Sequence, residues 1–299
     1  MKLSEAFNEY QRSEIQCRGC SLKTLEGMKY AERVAVGFFG DINVRKITVH
    51  DINDFYLDLT TNNCRRTGRQ RPVSVNTARD YIIKLRSVIK HCQNEGVRVC
   101  DYNKIAIPKR EKKSAKYLEL EQYERFMATA AKPKKGYAEI NRVRNVLIIK
   151  MLFYTGLRVS ELCALNRDTI VNRQFTVVGK SKFPRPCFIT KEIEQDIQDY
   201  LAMRADNEPA LFIANETKKR ITPGNIQRMF RRLNKQAGMT KVTPHTMRHS
   251  FATNMIEDKV DIRFVAALLG HQDLNTTKQY THVKYYKLRE IYVNALEKG

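Results

Sequence analysis

Apolar residues recur at three- and four-residue intervals through most of the chain, the spacing that gathers them on one face of an α-helix. Before residue 100 this period predicts helices over about 3–15, 21–38, 48–61 and 74–95. Ser21, Thr48 and Ser74 stand where N-caps belong, each with a short hydroxyl side chain able to accept one of the unpaired N–H groups of a helix start. Four such helices suit one small bundle. Between the third and fourth, the stretch from Asn62 to Pro72 is polar and basic and reads as a loop.

From Asp101 to Lys116 the period stops, Pro108 appears, and Lys109 to Lys113 is a charged run, the signature of a connection. Helical spacing returns over about 119–131, 139–155 and 158–165. Two strand-like pieces follow, Phe175 to Val178 and Cys187 to Ile189, with Gly179 to Pro184 as the turn between them. Further helices are expected over 190–205, 222–237, 244–258, 261–269, 274–281 and 284–297. The fold class is therefore mainly α. A four-helix domain over 1–107 leads through a basic linker, 108–116, to a mostly helical domain over 117–299 that holds one small antiparallel β-sheet.

Charge points to the kind of partner. The 54 Lys and Arg outnumber 32 acidic residues, a formal +22, well beyond what solubility requires. Residues 1–110 carry a net +8 and the remainder +14, so basicity is spread along the body of the protein and not confined to one tail. That favours a protein that wraps nucleic acid. In the 222–237 helix, Ile226, Met229, Phe230, Leu233 and Ala237 form one stripe, with Arg228, Arg231 and Lys235 opposite as candidate DNA contacts. Arg79, Lys84 and Arg86 on the 74–95 helix are further candidates.

Other classes fit poorly. The most apolar run, Val146 to Leu157, is interrupted by Lys150 and too short to span a bilayer, and no lipid anchor or amphipathic membrane helix stands out. Seven scattered cysteines read as free thiols in a reducing compartment, which points to a cytoplasmic protein. Only Cys17 and Cys20 have a metal-like spacing, and Cys64 and Cys92 do not complete a zinc site, so no metal is expected.

Four segments carry the residue types that a phosphoryl transfer needs. Thr155-Gly-Leu-Arg158 sets a guanidinium just past a helix break, where it can be aimed, and its fork matches two phosphate oxygens. His245 and Arg248 lie three apart, only about 60° from each other around a helix, so imidazole and guanidinium project to one side. Met247, Phe251 and Met255 would anchor that helix. Leu268-Leu-Gly270 ends a helix and leaves His271 just beyond it; Asp273 and Asn275 can cap the next, which carries Tyr280. Each segment alone is ordinary surface or packing chemistry.

Together, with Thr-Gly-Leu-Arg-Val-Ser-Glu-Leu, His-x-x-Arg-His-Ser-Phe-Ala-Thr and Leu-Gly-His-x-x-x-x-Thr-x-x-Tyr-Thr-His in order, they resemble the tyrosine recombinase (phage integrase) family over about 115–299. The four-helix half resembles that family's core-binding domain less specifically. The resemblance implies Tyr280 as the nucleophile forming a 3′-phosphotyrosyl link, and Arg158, Arg248 and His271 holding the non-bridging oxygens. It further implies His245 as general base and a hairpin Lys, Lys180, as general acid. The family's Gly-Lys-Gly-x-Lys-x-Arg is here Gly-Lys-Ser-Lys-Phe-Pro-Arg, which keeps Lys182 as the alternative acid. Glu161, three residues after Arg158, reads as an orienting carboxylate.

The implied activity is site-specific DNA recombination on duplex DNA without cofactor, metal or ATP. The implied assembly is a tetramer on paired DNA, with exchange of the C-terminal helix, 285–296, whose apolar periodicity suits a neighbouring subunit and equally a fold back onto its own domain. Type IB topoisomerase-like relaxation, a catalytically silent DNA-binding regulator and a metal-dependent nuclease are the rivals. The helices begin almost at the first residue, so the expectation is a compact Xer-like or mobile-element recombinase.

Overall fold

A computed structural model describes residues 1–20, 22–61, 72–111, 117–133, 138–179, 184–240, 242–270 and 285–296, with backbone alone at 17, 18 and 285–287. It is mainly helical, with one small antiparallel sheet, and folds as two compact units, Met1–Lys113 and Ser114–Gly299.

In the first unit, α1 (Leu3–Arg18), α2 (Leu22–Phe39), α3 (Val49–Thr60) and α4 (Val75–Asn94) enclose a core that includes Leu3, Phe7, Phe55, Leu59, Leu85 and Ile89. Thr48 and Ser74 cap as expected: Thr48 Oγ1 accepts from the Asp51 N–H, and Ser74 Oγ from that of Thr77. Ser21 and the basic loop over 62–71 lie outside the described residues. α1 runs beyond its expected end to Gly19, whose N–H donates to the Ile15 carbonyl at 3.2 Å. The Cys17/Cys20 spacing thus belongs to a helix end, and Cys20 Sγ donates to Glu14 Oε2 at 3.5 Å.

The segment after α4 lies along that helix. Arg79 Nε donates to the Pro108 carbonyl at 3.1 Å, Arg86 Nε to that of Tyr102 at 2.9 Å, and Asn76 exchanges two hydrogen bonds with the Glu111 backbone. Helical periodicity is absent there because the segment forms a strap with a single 3-10 turn, over Tyr102–Lys104, and is fixed to α4 by side chains.

The second unit is built around α6 (Glu139–Thr155). Leu147, Ile148, Ile149, Met151, Leu152 and Phe153 are all buried, the mark of a helix covered on several sides. α5 (Leu120–Ala131), α8 (Lys191–Ala202) and α10 (Pro244–Glu257) pack on it, and α9 (Pro223–Ala237) packs on α5. The short α7 (Val159–Ala164) leads to the hairpin of β1 (Gln174–Val178) and β2 (Pro184–Phe188).

β2 begins three residues earlier than the sequence predicts. Prolines at 184 and 186 argue against a strand because they remove ladder donors. In the observed register Phe175 faces Cys187 and Val177 faces Arg185, and the Ile189 N–H donates to the Arg173 carbonyl. The odd-numbered residues of β2 therefore turn their N–H groups toward β1, and both prolines fall on the outer edge where none is needed. The turn over 180–183 lies outside the described residues.

α11 (Ile262–Leu269) and α12 (Tyr285–Leu296) complete a second cluster in which Leu288 and Tyr292 pack with Phe188, Phe251, Val265 and Leu268. Tyr292 Oη donates to the Tyr154 carbonyl at 3.0 Å, so within this chain α12 folds back on its own unit. The helix expected over 274–281 lies outside the described residues. No helix among the described residues is long and apolar enough to cross a membrane.

Candidate active site

Three elements converge where α6 ends. Gly156 terminates α6 with φ +62°, a left-handed turn that L side chains rarely adopt, and a Cβ there would stand 2.5 Å from Phe251 Cδ1. The reversal makes Arg158 the N-cap residue of α7. Its N–H donates to Glu161 Oε2 and its Nη1 to Glu161 Oε1, both at 2.8 Å, so one carboxylate holds the backbone and the head group of the same arginine.

Glu161 is buried and takes a second guanidinium. Arg185, buried on β2, donates from Nη1 to Oε1 at 2.9 Å and from Nη2 to Oε2 at 2.6 Å, while its Nε donates to the Leu268 carbonyl at 2.8 Å. Burial alone would raise the Glu161 carboxyl, but hydrogen bonds from Arg185 and Arg158 outweigh it and hold the group down to about 2. The hairpin comes close as well: a Cβ on Gly179 would lie 2.9 Å from Arg158 Nη1.

α10 brings the second expected pair. Thr243 caps the helix, Pro244 opens it, and Met247, Phe251 and Met255 are buried as the apolar stripe predicts. Arg248 is buried too, donating from Nη1 to the Gly156 carbonyl at 2.6 Å and from Nη2 to the Leu269 carbonyl at 2.5 Å. Its pKa is pushed down to about 10, by burial first and then by the positive charges of Arg158 and Arg185. Arg248 is still a cation at neutral pH, and the nearby Glu161 carboxylate is hydrogen-bonded to Arg158 and Arg185, so Arg248 has no carboxylate of its own among its hydrogen bonds to the described residues. An anion placed here would relieve that field.

His245 is exposed one turn before His249, with their Nε2 atoms 3.0 Å apart and the rings edge to face. The His249 pKa is lowered by burial, then by His245 and Arg248.

The structure thus brings Arg158 and Arg248 into one charged cluster, with His245 on the same helix as Arg248. Lys180, Lys182, His271 and Tyr280 lie outside the described residues, although Gly179 and Gly270, which immediately precede Lys180 and His271, approach Arg158 and Arg185 respectively. Arg228, Arg231 and Lys235 are exposed on α9, opposite the buried stripe of Ile226, Met229, Phe230, Leu233 and Ala237. In the first unit, Lys84 Nζ donates to the Gly27 carbonyl at 3.1 Å, and Arg79 and Arg86 bind the strap, so all three candidate DNA-binding residues also have structural partners. Sequence reasoning missed Arg185 and His249. The signals were there: Arg185 shares the parity of buried Cys187 on β2, and His249 sits one helical turn from His245.

Comparison with known proteins gives the family and the fold. The model of the phage integrase family matches residues 116–287. Tyrosine recombinase XerA of Pyrococcus furiosus is 40% identical over 155 residues, 50% of this chain and 54% of that protein, so the match spans about half of that relative's length. Tyrosine recombinase XerC of Alcanivorax borkumensis is 30% identical over 258 residues, 83% of this chain and 80% of that protein. Among solved structures, the Tn1549 transposon integrase in complex with circular intermediate DNA has a similar fold, with a TM-score of 0.71, 19% identity, and coverage of 97% of this chain and 98% of that one. A lambda integrase dimer bound to a core site gives a TM-score of 0.72 at 18% identity, covering 91% and 96%. With its catalytic-domain fold, its paired arginines and its His-x-x-Arg helix in place, the chain belongs to the phage integrase family, the family of the tyrosine recombinases.

Proposed function

We propose that this protein is a site-specific DNA recombinase that cuts and rejoins duplex DNA through a 3′-phosphotyrosyl intermediate on Tyr280. The observation that carries the reading is Arg248: a buried guanidinium, fixed by two backbone carbonyls, depressed in pKa and set in one cluster with Arg158. Such a group is preorganised for an anion whose charge grows during reaction.

In the proposed reaction Arg158 and Arg248, with His271, neutralise the non-bridging oxygens of the scissile phosphate. Tyr280 Oη attacks phosphorus. A phenol has a reference pKa of about 10, so His245 takes its proton as the bond to phosphorus forms. The bond to the 5′-oxygen breaks, and Lys180, with Lys182 as the alternative, protonates that leaving oxygen. The covalent link retains the phosphodiester's chemistry, so a 5′-hydroxyl from another strand can reverse the step without ATP. Each role falls to a side chain, and cleavage is expected to persist in chelator.

Duplex DNA is the proposed partner, met in part through Arg228, Arg231 and Lys235. The names of the relatives and the DNA-bound neighbours support this. Exchange of α12 between subunits of a tetramer on paired sites would require α12 to leave the Phe188 and Leu268 surface it covers within the chain. The proposed location is the cytoplasm, a reducing compartment that suits free cysteines such as Cys92, Cys163 and Cys187.

The test is incubation with a nicked suicide substrate carrying the target site. A covalent protein–DNA complex is expected, and Tyr280→Phe is expected to abolish it while still binding DNA. A complex that persists in Tyr280→Phe overturns the nucleophile assignment.

A further inference from the structure

We propose that His249 is a positioning residue for His245: a neutral imidazole whose Nε2 accepts a hydrogen bond from His245 Nε2–H and so presents His245 Nδ1 as the basic nitrogen. The inference rests on the recombinase reading for its catalytic meaning, but the pairing itself rests on geometry.

The two rings stand one turn apart on α10, with Nε2 atoms 3.0 Å apart and ring centroids 4.4 Å apart at 73°. Two imidazoles at that distance need one proton between the facing nitrogens: two donors repel, and two bare acceptors leave no bond. One ring must therefore donate and the other accept. Surroundings decide which. His249 is the less exposed of the two and lies beside Arg248, and both conditions disfavour its protonated form. The charged groups that act on His249 are His245 and Arg248, and Arg248 in turn feels Arg158 at the start of α7, Arg185 on β2 and Glu161 on α7. Glu161 is already committed to the two arginines, so the surrounding field is positive. A neutral His249, carrying its hydrogen on Nδ1, offers its Nε2 lone pair, and His245 fills it.

This fixes the tautomer of His245 before substrate arrives. When the Tyr280 O–H bond breaks, its proton goes to His245 Nδ1, and the resulting imidazolium keeps its Nε2–H on the His249 lone pair. No proton has to cross to His249. The second imidazole plays the part that a carboxylate plays in other triads, orienting the base and stabilising its charged form. In this setting a carboxylate would also pair with Arg248; a neutral acceptor leaves that arginine available to phosphate.

The test is the pH profile of single-turnover cleavage of the suicide substrate by wild type, His249→Leu and His249→Gln. Glutamine places an acceptor oxygen near the imidazole Nε2, whereas leucine has none. Without an acceptor the His245 imidazolium is less stable, so in His249→Leu the acid limb should move to lower pH by about one unit and the plateau should fall about tenfold. His249→Gln should keep the wild-type midpoint. Equal losses in both variants with an unmoved midpoint would mean a packing role and overturn the proposal. Nitrogen NMR of the wild-type chain without DNA gives a second reading that needs no variant to fold: His245 should carry its proton on Nε2 and His249 on Nδ1, and the reverse assignment overturns the proposal. If wild type forms no covalent complex at all, the recombinase reading fails, while the NMR assignment still decides the pairing.

Discussion

The Glu161 carboxylate receives Arg185 through two hydrogen bonds, at 2.6 and 2.9 Å, in a place where both side chains are buried. A charge pair this deep depends on each partner. Glu161→Gln leaves the Arg185 guanidinium buried without its counter-ion and is expected to cost about 3–5 kcal/mol of stability, read from denaturant unfolding. A compensating Arg185→Met in the same chain should recover much of that loss. Cleavage should not recover, because Arg158 would still lack the carboxylate that aims it.

The same pair predicts a pH dependence. The Glu161 carboxyl is depressed in the folded protein, to about 2 from an ordinary 4.5, so its contribution is fully present above the unfolded value and is lost as pH falls through that window. The stability gap between wild type and Glu161→Gln, followed by thermal unfolding, should therefore narrow as pH drops from about 4.5 toward 2.

Gly156→Ala tests the chain reversal before Arg158. A Cβ at this position meets Phe251 and Leu269 at 2.5 and 2.8 Å, on a backbone with φ +62°. Strain and overpacking together should cost about 2–4 kcal/mol, and should slow cleavage beyond what the stability loss explains, because the Gly156 carbonyl anchors Arg248. Comparable cleavage rates in folded Gly156→Ala and wild type would contradict this coupling.

Arg248→Lys keeps a cation but cannot reproduce two diverging N–H bonds to the Gly156 and Leu269 carbonyls together with a free face for phosphate. Covalent complex formation is expected to fall by about 10²–10³-fold, the scale of losing one preorganised donor. DNA affinity, measured in parallel, should change far less.

Replacing Arg228, Arg231 and Lys235 together by glutamine should leave folding intact, since all three are exposed on α9. If they bind phosphates, the slope of log affinity against log salt should become shallower by about 0.9 for each phosphate that is no longer neutralised. An unchanged slope would remove α9 from the DNA interface.

Much of this was legible along the chain. Helical period located α9 and α10 because a buried stripe needs only local spacing, and Ile226, Met229, Phe230 and Leu233 are indeed the residues that are covered. Thr48 and Ser74 were readable as caps for the same reason: a cap is satisfied within one turn. Motif order located the paired arginines and the His-x-x-Arg helix, and it alone nominates Lys180, His271 and Tyr280.

Other features depended on what packs against what. Composition ranks an arginine as a surface residue, yet Arg185 is buried because Glu161 and the Leu268 carbonyl arrive from α7 and α11 to satisfy it. Two prolines disguised β2, since only the sheet register shows that their side of the strand needs no donors. The α12 helix could have served a neighbour or its own unit by its periodicity; in the folded chain Tyr292 closes on the Tyr154 carbonyl. Spacing and residue type were enough to place most of the described helices and the Thr48 and Ser74 caps, because these are satisfied within a turn or two of local chain. Tertiary structure decided which charges are buried and what compensates them, because desolvation and pairing are set by neighbours distant in the chain.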